Sequence, residues 1–159
     1  MRKLIKADDG VGLVEFALVV PLLILLTVGF LDVARAMNAV VLLGSASQEG
    51  AHYAALDPSA TIPPGQIVPP AIASAAIART APLNGNAITV TAEYYDDATA
   101  TFRPWPTAGI PTSSPAPAGV MVRITVSYPW TAVSAIAGNL LSPNGSNVLT
   151  STSLMETRR

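Results

Sequence analysis

The first third of the chain carries a long apolar run followed by a stretch in which apolar and polar residues are mixed. Residues 11–31 contain one charged side chain, Glu15, and the next charge along the chain is Asp32. About 20 consecutive apolar residues are enough for a helix to cross the hydrocarbon core of a bilayer. Residues 11–31 are therefore predicted to form a transmembrane helix.

Helical character continues past the apolar run, because no proline occurs between Leu31 and Asp57-Pro58. Residues 11–56 are predicted to form one helix of about 69 Å, at 1.5 Å per residue, with residues 32–56 as its amphipathic continuation outside the membrane. This part is expected to pack on the C-terminal domain, with helices of other subunits as the alternative. Its predicted packing seam comprises Val33, Met37, Val40, Gly44, Ser47, Ala51 and Ala54.

Beyond residue 56 the spacing of apolar residues changes to the alternation that is typical of strands. Residues 57–70 are a proline-rich connector, and the alanine-rich residues 71–80 predict a short helix. The remaining predictions are strands at 88–94, 98–103, 120–128 and 148–157, a hairpin turn at Asp96-Asp97, a proline-rich loop at 104–118, a short helix at 131–141 and a turn at Asn144-Gly145.

Composition excludes most catalytic chemistry. Of the 159 residues, 50% are hydrophobic and only 12% are charged, against about 25% charged in ordinary soluble domains. There is no cysteine, and His52 is the one histidine, so disulfides, thiolate nucleophiles and multi-histidine metal sites are excluded. The formal net charge of −1 does not favour nucleic-acid binding. We therefore expect no enzymatic activity, no metal and no cofactor.

One acidic cluster, Glu93 with Asp96 and Asp97, lies in the C-terminal domain. The hairpin is expected to place these carboxylates at its tip, as solvated turn residues rather than as a glycosidase pair or a calcium site. Trp105 and Trp130 adjoin prolines and are predicted to pack in the core or against loops.

Charges on either side of the apolar run predict its orientation. Residues 1–10 form a basic leader, whereas the charges of Asp32 and Arg35 cancel after the run. The positive-inside rule then places the N-terminus in the cytoplasm and the C-terminal domain outside. A secretory signal peptide, cleaved after residues 34–36 (Ala-Arg-Ala), is the alternative. The apolar run is longer than the 7–15 residues of such peptides and contains Glu15, which favours an anchor.

Gly10 and Glu15 have a spacing with a chemical consequence. Cleavage after Gly10 would make Val11 a new N-terminus with Glu15 as its fifth residue, whereas cleavage after Gly12 would leave Glu15 third. A free amine among apolar helices is costly unless it is neutralised. Glu15 of a neighbouring subunit can supply the counter-charge and set the axial register. A carboxylate that reaches lipid headgroups is the alternative reading of Glu15.

This arrangement resembles type IV pilin-like precursors, in which a short basic leader ends at a glycine before an apolar helix. Over roughly residues 10–56 the chain resembles TadE-like proteins, the pilin-like accessory proteins of tight-adherence (Tad/Flp) pilus systems; TadE and TadF relatives share this N-terminus. The residues that carry the resemblance are EFALVVPLL at 15–23, Gly29, Asp32, Arg35-Ala36 and EGAHYAA at 49–55.

The resemblance implies cleavage between Gly10 and Val11 by a prepilin peptidase, an inner-membrane aspartic protease, with Glu15 and Phe16 as the recognition signature. It also implies a non-enzymatic minor pilin, or pseudopilin, of the bacterial inner membrane. Its expected partners are other pilins or pseudopilins and Tad assembly proteins. Pro21, inside the apolar run, is expected to kink the helix. Such a kink is tolerated in a membrane because neighbouring helices can satisfy the freed carbonyl.

Helix and strand patterns together predict an α+β, pilin-like fold, in which a long N-terminal transmembrane and amphipathic helix precedes a small antiparallel β-sheet domain. The predicted organisation is a leader at 1–10, a transmembrane helix at 11–31, its extracytoplasmic continuation at 32–56, the connector at 57–70 and an extracytoplasmic α+β domain at 71–159. Two other functions stay open: an uncleaved, membrane-anchored extracytoplasmic binding module, and a secreted domain released by signal peptidase.

Overall fold

The computed structural model of the chain describes residues 8–111, 119–133 and 147–158. Its elements follow the predicted order, with the long helix, the short helix and all four strands confirmed to within a few residues at their ends. They are α1 (Asp8–Leu56), α2 (Pro70–Ala78), a 3-10 turn (Gly85–Ala87), β1 (Thr89–Asp96), β2 (Thr101–Pro104), β3 (Met121–Pro129) and β4 (Val148–Glu156). The helix predicted at 131–141 falls mostly, and the turn predicted at Asn144-Gly145 wholly, outside the described residues.

The described residues divide into two compact units. One contains α1 up to Ala36 together with residues 131–133. The other contains α1 from Met37 onward, α2 and the sheet.

The sheet has the strand order β2-β1-β3-β4, and every neighbouring pair is antiparallel. Prolines stand at the ends of two strands, Pro104 in β2 and Pro129 in β3, where the missing N–H does least harm to the ladder. In β3 the burial alternates strictly, with Val122, Ile124 and Val126 fully buried between partly exposed neighbours. One face of the sheet therefore builds the core, as the period-two pattern predicts.

α1 packs on this face of the sheet through small side chains. A Cβ atom added at Gly50 would lie 3.0 Å from Cγ2 of Ile124 and 3.3 Å from Cβ of Ala76 in α2. The helix thus approaches both β3 and α2 as closely as a glycine allows. The core shared by α1, α2 and the sheet comprises Leu43, Ala46, Ala51, Ala54, Val68, Ile72, Ala76, Ile88, Val90, Ala92, Trp105, Ile110, Val122, Ile124 and Val126.

The predicted packing seam of α1 is correct from Ser47 onward and wrong before it. Met37 and Val40 are 66% and 48% exposed, whereas Ala39 and Leu43 are buried in their place. Residues on both sides of the helix are apolar in this stretch, so hydrophobicity alone does not show which side faces the sheet. Packing against the chain's own C-terminal sheet is confirmed for the later part of the seam.

A cluster of three serines joins α1 to the edge strand β4. Ser47 is fully buried, and its Oγ lies 2.9 Å from Oγ of Ser153 and 3.2 Å from Oγ of Ser151. The same hydroxyl donates to the carbonyl of Gly44 at 3.0 Å. Because every polar atom of this contact has a partner, burying it carries little penalty.

The proline-rich connector is held against the loop that follows β2. The indole Nε1 of Trp105 donates to the carbonyl of Ala60 at 2.8 Å, and the N–H of Ile110 donates to the carbonyl of Pro58 at 2.7 Å. Gly109 has φ +83°, and a Cβ there would lie 2.4 Å from the carbonyl oxygen of Ser59. Only glycine fits this crossing. Trp105 and Trp130 are both buried, as predicted.

The acidic cluster does not form a solvated hairpin tip as a whole. Of the three carboxylates, only that of Asp97 is exposed in the turn. Glu93 lies within β1, where its Oε2 accepts a 2.6 Å hydrogen bond from Nε of Arg123, and this bond raises the pKa of Arg123. Asp96 pairs with Arg103 at 3.2 Å. The prediction is wrong for Glu93 because β1 continues to Asp96. The turn comprises only the four residues between Asp96 and the start of β2 at Thr101, so Glu93 lies within the strand.

Candidate functional site

The most unusual surface of the molecule is the first part of α1, over residues 11–31. Its large apolar side chains stand in solvent, with Phe16 69% and Leu18 73% exposed. By length and composition α1 is able to cross a membrane. A continuous apolar surface of this kind is not stable in water and marks a site for lipid or for other apolar helices.

Glu15 lies on this surface. It is exposed and shares one helix face with Val11, Val14 and Leu18, because residues three and four apart are neighbours on a helix. Within the described part of the chain, no side chain forms a hydrogen bond or an ion pair with it. Folding of this chain therefore makes no use of the carboxylate.

Gly10 and Gly12 lie in the first turns of α1, and a Cβ at either position would meet nothing within 4 Å. Each glycine in a helix costs about 1 kcal/mol relative to alanine. Neither packing nor backbone conformation among the described residues requires glycine here. Two glycines separated by one residue weaken the start of the helix around the peptide bond between Gly10 and Val11.

Pro21 interrupts the hydrogen-bond ladder of α1 without ending the helix. Its ring nitrogen has no hydrogen to donate to the carbonyl of Ala17, one turn earlier. The helix is continuous from Asp8 to Leu56 in spite of this. The kink expected at Pro21 stays a prediction.

The apolar surface ends at Asp32, which the sequence marks only as one residue of the TadE-like resemblance, without a structural role. Asp32 is only 1% exposed, and its Oδ1 accepts a hydrogen bond from the backbone N–H of Val133 at 3.1 Å. Nη1 of Arg35 lies 3.7 Å from the same oxygen. Asp32 and Arg35 were expected only to cancel each other's charge. The contact with Val133 spans 101 positions, so nothing local in the sequence signals it.

The chemistry of this surface is that of association. Throughout the described ranges, no three histidine, aspartate or glutamate side chains lie close enough together to hold a metal ion. Among the described residues, the side chains that line this surface with Glu15 are the apolar Val11, Val14 and Leu18, which can exchange lipid for protein neighbours. The structure thus places Val11 and Glu15 on one exposed face of the helix.

Comparison with known proteins agrees with this description. Residues 10–52 match the family model described as TadE-like protein. No curated protein matches the chain, and no solved structure does. The match begins at Gly10 and includes the exposed apolar surface, Glu15 and Asp32, whereas the sheet lies outside it. Together with the sheet, α1 forms the pilin-like α+β arrangement that the sequence predicts, and the chain carries a TadE-like family domain over residues 10–52.

Proposed function

We propose that this protein is a minor pilin, or pseudopilin, of a bacterial tight-adherence pilus, and that it acts in pilus assembly or priming. The observation that carries the proposal is an apolar helix surface on which Glu15 has no partner among the described residues, within the segment 10–52 that matches the TadE-like family model. Such a surface can contact lipid in the bilayer and the apolar helices of neighbouring subunits in an assembly.

The length of the apolar run supports the proposed insertion in the inner membrane. Residues 11–31 of a helix extend about 31 Å at 1.5 Å per residue, and the hydrocarbon core of a bilayer is about 30 Å thick. The basic leader favours an N-terminus in the cytoplasm and a C-terminal domain outside.

Processing by a prepilin peptidase between Gly10 and Val11 is supported by the glycine itself. The described fold requires no glycine at position 10. Recognition by another protein therefore explains the presence of glycine at this position better than folding does. Glu15 and Phe16, both exposed, are then available as the recognition signature of that peptidase. Weak helix structure at two nearby glycines also helps the chain to unwind at the scissile bond.

After cleavage, the new amine of Val11 needs a counter-charge among apolar helices. A charged side chain within a bilayer costs roughly 2.5–3.5 kcal/mol on insertion scales, and pairing with an opposite charge offsets this cost. Glu15 of a neighbouring pilin or pseudopilin can provide that charge. The pairing sets how far one helix is displaced along the next, which is the information that an ordered assembly requires.

N-terminal sequencing of the protein recovered from native membranes tests this function. We expect a chain that begins at Val11. A chain that begins at Met1 would instead support the uncleaved, membrane-anchored binding module. A chain that begins near residue 37 would support release by signal peptidase and contradict the pilin function.

A further inference from the structure

Asp32 of α1 forms a hydrogen bond with Val133, which is distant in the sequence. Its carboxylate is buried although the apolar run immediately before it is largely exposed. The backbone N–H of Val133 donates to this carboxylate, and Arg35 lies beside it. A buried carboxylate is tolerated only when it is hydrogen-bonded or paired. The contact therefore holds residues 131–133 against the helix.

This contact also fixes the level of residues 131–133 along the helix axis. Asp32 follows Leu31, the last residue of the proposed membrane span, by a single 1.5 Å step. A group hydrogen-bonded to Asp32 lies within about one helical turn, 5.4 Å, of the end of that span. At this level the apolar side chain of Val133 is 71% exposed.

We infer that residues 131–133 form a second membrane contact, at the interface where α1 leaves the bilayer. Val133 is the group that enters the boundary between headgroups and acyl chains, and Asp32 is the residue that positions it. The inference rests on the proposed insertion of α1. Lipid is the occupant because the contact is continuous with the proposed span. Arg35, whose side chain is 59% exposed, can direct its remaining N–H groups to lipid phosphates.

Depth-dependent fluorescence quenching tests the inference, because a chain without cysteine accepts a single label at any chosen position. Leu22→Cys reports on the proposed span and Val133→Cys on the second contact. Leu56→Cys is the control, since its side chain is exposed and it lies 24 residues after Asp32 along the chain, at the end of α1. The labelled full-length chains are placed in phosphatidylcholine and phosphatidylglycerol vesicles that carry quenchers either near the headgroup or deep in the acyl chain.

We expect the label at residue 22 to be quenched by the deep quencher, the label at residue 133 by the shallow one, and the label at residue 56 by neither. Quenching at residue 22 without quenching at residue 133 overturns the second contact and leaves insertion of α1 intact. Absence of quenching at residue 22 overturns the proposed span, and the inference with it.

The role of Asp32 is tested in the Val133→Cys background. Asp32→Ala removes the acceptor, so most of the shallow quenching should be lost. Asp32→Asn keeps an oxygen that accepts the same hydrogen bond and should retain most of it. Equal quenching in the alanine variant and the parent overturns the positioning role of Asp32.

Discussion

Gly50 of α1 and Ile124 of β3 are in close contact between helix and sheet: a Cβ on Gly50 would lie 3.0 Å from Cγ2 of Ile124. Ile124 is fully buried and branched at Cβ, so its methyl group cannot easily move aside. Ala76, 3.3 Å away, has no rotamer to change. Gly44, six residues earlier in the same helix, faces open space.

Gly50→Ala is therefore expected to lower the free energy of unfolding by about 1 kcal/mol. Overpacking of a filled core costs roughly 1–3 kcal/mol, which exceeds the gain of about 1 kcal/mol in helix propensity. Gly44→Ala, the matched control, keeps only that gain and should be stabilising. Urea unfolding of the full-length chain in detergent, followed by the near-UV circular dichroism of its two tryptophans, measures both. Stabilisation in both variants would contradict the close contact.

Ser47→Ala is expected to lower the free energy of unfolding by about 1 kcal/mol, because Ser151 and Ser153 lose their shared partner on α1. Ser45→Ala is the control, since its exposed hydroxyl donates only to the carbonyl of Val41 within the same helix. The control should stay within about 0.5 kcal/mol of the parent. The same unfolding assay applies, and equal effects at the two positions would count against the serine cluster.

Gly10→Leu is expected to block processing, whereas Gly12→Leu should permit it. Both positions are open in the structure, so neither leucine should disturb the fold. The difference then reports on recognition by the peptidase alone. Intact-mass measurement of each variant, expressed with its cognate peptidase, shows whether residues 1–10 are lost. Loss of the leader from Gly10→Leu would place the scissile bond elsewhere.

Glu15→Gln is expected to leave membrane insertion intact and to reduce pilus assembly severely. Removing a charge from the proposed span makes insertion easier, but the amine of Val11 on the neighbouring subunit loses its counter-charge. Glu15→Asp keeps the charge and should retain part of the assembly. Alkaline extraction of membranes measures insertion, and electron microscopy of surface pili measures assembly. Normal pilus numbers with Glu15→Gln would disprove the charge pairing.

Much of the fold was predictable because its signals are local. Strict alternation from Val120 to Tyr128 predicts β3, and Asp57-Pro58 marks the end of α1. The prediction of β2 is less accurate, because Ala98 to Ala100 belong to the turn and the strand begins only at Thr101. Ala100 has φ 52°, which alternation of apolar residues does not foresee.

What could not be predicted depends on distant partners. In the sequence, Glu93 and Asp96 are both acidic residues close to a predicted turn. Only the structure shows that Glu93 accepts a hydrogen bond from Arg123 on another strand. Asp32 likewise gives no sign of its contact with Val133. In the candidate site the spacing of Gly10 and Glu15 was readable, because the leader, the glycine and the carboxylate are close together in sequence.

The division of α1 into an exposed part and a packed part separates two kinds of mutational damage. Substitutions of the exposed apolar side chains between residues 11 and 31 change groups that the described fold does not pack, so the purified protein should melt as before while the cell loses function. Substitutions on the buried face after residue 43 should do the reverse and reduce the amount of folded protein. A screen by thermal shift alone would therefore score defective variants at these exposed positions as normal, and an assay in cells is needed to identify them.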